Sequence, residues 1–225
     1  MLMPIASSSP RSIRENIEPY WGYEEIVLFF MVVALTAALV RLMLRLRLIP
    51  ATQMSNSAPM VQIPVLLVLL LALYLVLKLR YHRPVWVALG WVWPSRLQAL
   101  AAVVLGSLLA ASVVAYLRYH RQVLSPFSTV PVIVLGVVLG PLVEESFFRG
   151  CLLPVIARNA GKLVAVITTA LVFAAFHAPL TPAQWAWFTV AGIAYGWMRL
   201  ASRSTTAAAL MHASYNFTLF LFAMN

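Results

Sequence analysis

Three ionisable residues lie inside an apolar stretch of the chain, where each is costly to place. Residues 140–150 read GPLVEESFFRG and contain Glu144, Glu145 and Arg149. Residues four apart share a helix face, so Glu145 and Arg149 can form an ion pair. Glu144 is rotated by about 100° from Glu145 and has no cation on its own face. A desolvated carboxylate of this kind is a good base near neutral pH. A purely structural ion pair would leave Glu144 unexplained.

A second cluster, FAAFH, closes another apolar segment. Phe173 and His177 share one helix face in it, and two prolines follow within five residues. Since proline disfavours a continuing helix, we expect the helix to end just past His177. Taken alone, a histidine near a helix end is more often structural than catalytic. Phe173 is interpreted as packing that fixes the imidazole.

A third cluster, HASYN, lies in the last apolar run of the chain. His212 and Asn216 have the i,i+4 spacing of one helix face. Alone, they fit an interhelical hydrogen bond as well as they fit a site. Together with the other two clusters, they complete a set for adding water to a carbonyl group. That reaction needs a base, proton carriers and donors for an oxyanion.

The three clusters, read in order as E-E-x-x-x-R, F-x-x-x-H and H-x-x-x-N, resemble the CAAX-protease and bacteriocin-processing (CPBP) family. Its eukaryotic members include the type II CAAX prenyl endopeptidase, and the resemblance covers roughly residues 130–220. It implies an all-helical intramembrane endopeptidase. Glu144 and His177 would activate water, while His212 and Asn216 would stabilise the oxyanion. The remaining motif residues would take supporting roles: Glu145, Arg149 and Phe173.

The resemblance leaves two mechanisms for water activation. Glu144, His177 and His212 could supply the three protein ligands of a catalytic zinc ion. However, the H-E-x-x-H motif is absent, and a glutamate–histidine pair can activate water without metal. We therefore expect no metal and no other cofactor, with zinc as the alternative.

The composition predicts the elements that must position these residues. Hydrophobic residues make up 63% of the 225 positions and charged residues only 10%, against about 25% in soluble domains. The chain is predicted to be an all-α, polytopic membrane bundle of about seven to eight transmembrane helices. We expect a polar tail over residues 1–23 and a single membrane domain over 24–225, and the family resemblance implies a catalytic core at about 130–220. Apolar segments fall at about 24–44, 61–78, 97–117, 130–155, 163–178, 183–200 and 205–224. The short, tryptophan-rich segment at 84–94 suits an interfacial or re-entrant position.

The net charge of +10 does not indicate nucleic-acid binding. The basic residues occur in short groups between apolar segments, which is the usual signature of membrane topology. Their distribution favours a cytoplasmic N-terminus. The single cysteine, Cys151, excludes an intrachain disulfide and is interpreted as a packed apolar residue.

Two other classes of function compete with the peptidase. Intramembrane glutamates and histidines also form proton relays in transporters, although no inverted repeat is evident. A non-catalytic binding or immunity-type protein could keep the same fold. The expected partners are the lipid bilayer and a membrane protein or peptide substrate, prenylated or not. Short loops and the lack of a signal-peptide pattern favour a bacterial plasma membrane.

Overall fold

In the computed structural model, all regular structure is helical within the described residues, 19–48, 59–121 and 130–223. This confirms the all-α class for that part of the chain. The predicted polar tail lies outside these ranges up to position 18. The helices are α1 Tyr23–Arg45, α2 Pro59–Tyr81, α3 Val85–Ala88, α4 Arg96–Tyr119, α5 over residues 130–160, α6 Lys162–Phe176, α7 Pro182–Ser202 and α8 Thr205–Ala223.

Four of these helices are long and apolar enough to cross a membrane. They make the chain an integral membrane protein, and each matches a predicted span: Tyr23–Arg45, Gln62–Tyr81, Arg96–Tyr119 and Pro131–Ala160. Helix α6 is apolar but has only 15 residues, which gives about 22 Å of length against about 30 Å of hydrocarbon. Helix length and composition thus support four spans, and the predicted seven to eight are not established by them.

Helix α5 contains two π-helical segments between its α-helical turns. Its segments Val134–Leu139 and Ser146–Leu152 are π-helical, and a proline follows each segment as the second residue, Pro141 and Pro154. A proline ring collides with the carbonyl four residues earlier, and in both cases that carbonyl lies in the widened turn. The π turns therefore accommodate the prolines. They flank the short α-helical stretch that carries Glu144.

The tryptophan-rich segment at 84–94 forms the four-residue helix α3 and then an extended stretch. Thr205 at the start of α8 donates its N–H to the Gly90 carbonyl at 2.8 Å. The Trp91 indole donates to the Ser146 hydroxyl of α5 at 3.0 Å. Through these two hydrogen bonds, the segment links α5 to α8 close to the cluster of Glu144, Glu145 and Arg149. An interfacial position for it is still a prediction.

Helices α4 and α8 pack tightly at Gly106, where the backbone of Met211 lies directly against the glycine. A Cβ atom at Gly106 would overlap the Met211 carbonyl oxygen, which belongs to backbone and cannot rotate away. Small residues allow membrane helices to pack this tightly. Gly106→Ala is expected to destabilise the protein by about 1–3 kcal/mol, the usual cost of overpacking.

Thermal unfolding in detergent measures this effect, and Gly136→Ala is the matched control. Gly136 is also a helical glycine, but an added Cβ there meets nothing within 4 Å. Equal melting temperatures for the two variants would show that the α4–α8 contact does not depend on Gly106.

Candidate active site

Glu144 and His177 face each other across the interface between α5 and α6. His177 directly follows the last residue of α6, as predicted from the prolines. Its Nε2 lies 3.8 Å from Glu144 Oε2, and the two side chains are 26% and 27% exposed. Glu144 Oε2 is buried and bonds no other group within the described residues. The two groups are close, but they are too far apart for a direct hydrogen bond.

The hydrogen bond on the other side of the His177 ring determines what Nε2 offers. His177 Nδ1 lies 2.8 Å from the Phe173 carbonyl oxygen. A carbonyl oxygen only accepts, so Nδ1 carries the hydrogen and donates it. In the neutral imidazole, Nε2 then presents a lone pair toward Glu144. The ring itself is held between Phe173 and Phe188, at centroid distances of 4.5 and 4.3 Å.

Glu145 occupies a different environment from its neighbour, as the helical spacing predicted. It forms the expected ion pair with Arg149, whose Nη1 donates to Oε1 at 3.0 Å, and both side chains are fully buried. His212 Nδ1 lies 2.9 Å from the same carboxylate oxygen. Arg149 Nη2 also donates to the Gly192 carbonyl of α7 at 2.9 Å. One buried network thus connects α5, α7 and α8.

Phe173 lies between the two parts of the site. Its side chain is 1% exposed and contacts His177 on one side and His212 on another, at ring distances of 4.5 and 5.7 Å. The Arg149 guanidinium lies over its face at 4.7 Å, within the range of a cation–π contact. Phe173 therefore holds three polar side chains in fixed relative positions, which suits the packing role expected for it.

Asn216 bonds a carbonyl that Pro141 leaves without a partner. In the π turn, the N–H of Gly140 donates to Leu135. The corresponding donor for the next carbonyl, that of Gly136, would be Pro141, which has no N–H. Asn216 Nδ2 donates to that carbonyl instead, at 2.6 Å. One hydrogen of the amide is used in this way, and the second is available to a ligand.

Five of the seven candidate residues line one cavity of about 1150 Å³. Helices α1, α2, α4, α5, α6, α7 and α8 all contribute to its lining, mostly through apolar side chains. The cavity is large enough for a peptide segment. The predicted residues that line it come from α5, α8 and the end of α6: Glu144, Phe173, His177, His212 and Asn216. Glu145 and Arg149 lie behind this wall in the buried network.

A metal site is not assembled from these donors. No three His, Cys, Asp or Glu side chains within residues 19–48, 59–121 and 130–223 are grouped closely enough to hold a metal ion. His212 Nδ1 contacts Glu145, whereas His177 Nε2 faces Glu144. The donors of the alternative zinc set, Glu144, His177 and His212, are therefore not grouped around one point in this arrangement, and a metal-free site stays a prediction.

Several residues at the site were not predicted from the sequence, and Tyr195 and Gly192 are two of them. Tyr195 of α7 is fully buried, lines the cavity and stacks on His212 at 4.6 Å with an interplanar angle of 18°. Gly192, one turn before it, supplies the carbonyl that Arg149 bonds. Their only signal in the sequence is i,i+3 spacing within an apolar run, which ordinary packing residues share.

Comparison with protein families identifies the same part of the chain. Residues 125–218 match the family described as Type II CAAX prenyl endopeptidase Rce1-like. This range includes all three clusters and the polar residues of the site, whereas α1, α2 and α4, which also line the cavity, lie outside it. No curated protein and no solved structure matches the chain significantly.

Proposed function

Because residues 125–218 match the Type II CAAX prenyl endopeptidase Rce1-like family, we propose that the chain is an intramembrane endopeptidase. It would hydrolyse a peptide bond in a membrane-associated protein or peptide. The observation that carries the proposal is the facing pair of acceptors, Glu144 Oε2 and His177 Nε2, at 3.8 Å. A water molecule between them can donate one hydrogen to each, and it then directs its oxygen lone pairs away from both.

The reaction follows from this arrangement. Glu144 takes a proton from the water while the water oxygen bonds the carbonyl carbon and the carbonyl electron pair moves to its oxygen. The tetrahedral intermediate then breaks its C–N bond, and the leaving amine takes the proton from Glu144. His177 holds the water through Nε2, and its own orientation is fixed by the bond to the Phe173 carbonyl.

The oxyanion needs donors that are already in place. Asn216 has one amide hydrogen left after its bond to Gly136, and it occurs on the cavity wall. His212 uses Nδ1 toward Glu145, so its Nε2 donates only from the doubly protonated ring. We assign the oxyanion to Asn216 and the doubly protonated His212, with Glu145 and Arg149 holding His212 in position.

The position of the site in the bundle supports an intramembrane substrate. His177 follows an α6 helix of about 22 Å, so it lies within a hydrocarbon layer of about 30 Å if α6 starts at a membrane surface. We propose that α6, α7 and α8 lie in the membrane with the four candidate spans, in a seven-helix bundle. The apolar cavity then suits a lipid-modified peptide, so we propose a prenylated CAAX-type substrate. We also propose a bacterial plasma membrane as the location of the protein.

The test is cleavage in proteoliposomes by the purified full chain. Two matched peptides end in cysteine, two aliphatic residues and methionine, and one carries a farnesyl group on the cysteine. We expect cleavage of both, with faster cleavage of the farnesylated peptide. Equal rates would overturn the prenylated substrate class, and no cleavage of either peptide would count against the peptidase.

A metal-free mechanism also makes a direct prediction. Elemental analysis of purified, active protein is expected to find no stoichiometric zinc, because the donor side chains are not grouped around a common point. One zinc per chain, lost in both His177→Ala and His212→Ala, would contradict this mechanism. Inhibition by a chelator would not by itself decide the matter, because chelators can also perturb the membrane preparation.

A further inference from the structure

The hydroxyl group of Tyr195 is a buried donor without a bonding partner. Its side chain is fully buried, and its oxygen bonds no group within the described residues. An unbonded, buried hydroxyl costs about 1–3 kcal/mol, and phenylalanine would fill the same space without that cost. The residue also lines the cavity that contains Glu144 and His177. The residue that carries this costly group therefore belongs to the wall of the proposed active site.

The ring that carries this hydroxyl is held on several sides. It stacks on His212 at 4.6 Å and meets the edges of Phe173 and Tyr215 at 6.0 and 6.4 Å. The Arg149 guanidinium lies 5.3 Å from its centroid. Packing of this density leaves little freedom for the ring to swing toward another protein acceptor. The hydroxyl is therefore preorganised in one place.

Unbonded polar atoms concentrate at this site. Within the described residues, six buried side-chain nitrogen or oxygen atoms lack a partner, and four of them belong to Glu144, Glu145, Arg149 and Tyr195. Buried groups of this kind call for a specific explanation, and a ligand that bonds them is one. Glu144 Oε2 is already assigned to the attacking water. The Tyr195 hydroxyl is the one uncharged donor among these four.

We propose that Tyr195 is a further catalytic residue, whose hydroxyl donates a hydrogen bond to the reacting carbonyl oxygen of the substrate. This inference rests on the proposed peptidase function. As the water oxygen bonds the carbonyl carbon, the carbonyl electron pair moves to oxygen, and the hydroxyl hydrogen bonds that growing negative charge. The O–H bond of Tyr195 stays intact throughout. The hydroxyl thus joins Asn216 and His212 around the oxyanion. It comes from α7, a helix in which no site residue was predicted from the sequence.

The substitution Tyr195→Phe removes the hydroxyl and keeps the ring that stacks on His212. With the farnesylated peptide, kcat is expected to fall about 10- to 10³-fold with little change in KM, since the bond strengthens in the transition state. The melting temperature is expected to stay equal or rise, because a buried unbonded hydroxyl is removed. A merely structural tyrosine would not produce this combination.

Tyr20→Phe is the matched control. The Tyr20 hydroxyl is also buried and unbonded in the described part of the chain, but its ring packs on Trp21 and Tyr81 and does not line the cavity. Its activity is expected to equal that of the wild type. If the wild type is active and the kcat of Tyr195→Phe lies within about twofold of the wild-type kcat, the role of Tyr195 is overturned, but the proposed function is not. A raised KM at unchanged kcat would also overturn that role, and an inactive wild type would overturn the proposed function with it.

Discussion

Glu144→Gln is expected to lower the rate of peptide cleavage about 10²- to 10⁴-fold, the usual contribution of a general base. Glutamine has the shape of glutamate but cannot take the proton of the attacking water. The melting temperature should not fall, because Glu144 Oε2 bonds no protein group in the described residues. Single-turnover cleavage of the farnesylated peptide in proteoliposomes measures the effect on the chemical step.

Two comparisons make the result specific to Glu144. Glu24→Gln changes an exposed glutamate in the first turn of α1, which pairs with Arg80 and does not line the cavity. The cleavage rate of this variant should therefore equal that of the wild type. Asn216→Ala removes an oxyanion donor and should lose about 10²- to 10³-fold, which leaves measurable activity. Cleavage by Glu144→Gln within a few-fold of the wild-type rate would remove Glu144 as the base.

Arg149→Ala is expected to have the largest effect on stability, about 3–5 kcal/mol. The substitution leaves the fully buried Glu145 carboxylate without its cation. It also removes the donor to the Gly192 carbonyl and the guanidinium that lies over Phe173. Thermal unfolding in detergent measures the loss. Activity should fall as well, because Glu145 holds His212.

The charge argument is tested by removing both charges together. The double variant Glu145→Gln with Arg149→Met should be more stable than Arg149→Ala, because neither the carboxylate nor the guanidinium is left without its partner. Arg158→Ala is the control on the same helix. Arg158 also donates two hydrogen bonds, to Pro19 and Trp21, but it is only partly buried. Wild-type stability in Arg149→Ala would show that the buried pair is dispensable.

Part of the site could be predicted because several of its contacts are local. The pairing of Glu145 with Arg149 follows from i,i+4 spacing, and the separate position of Glu144 follows from the helical rotation between neighbours. The end of α6 at His177 follows from the prolines behind it. In each case, the sequence distance is within one or two helical turns, where backbone geometry alone decides the outcome.

Contacts between helices could not be predicted in the same way. Periodicity shows which face a residue occupies, but it does not show which residue of another helix meets that face. The bond from His212 to Glu145 spans 67 positions, and the bond from Asn216 to Gly136 spans 80. Tyr195 could not be separated from ordinary packing aromatics for the same reason.

Sequence patterns also could not predict the winding of α5 or the number of helices that cross the membrane. A proline such as Pro141 is typical of a kinked helix with a freed carbonyl, but it does not show that the chain widens into π turns. Apolar runs over residues 163–178, 183–200 and 205–224 predicted helices that the structure contains. Hydrophobicity could not decide whether each crosses the membrane, because buried helices and spanning helices are both apolar.

The most direct test of the central claim, that Glu144 and His177 activate a water molecule for peptide hydrolysis, is the mass of the fragments released in H₂¹⁸O. Purified wild-type protein in proteoliposomes is expected to cleave the farnesylated peptide and to place one ¹⁸O atom in the newly formed carboxylate. Under the same conditions, Glu144→Gln and His177→Ala proteins are expected to leave the peptide almost entirely intact. An intact peptide with wild-type protein, or equal yields of the same fragments with the variants, would contradict the account.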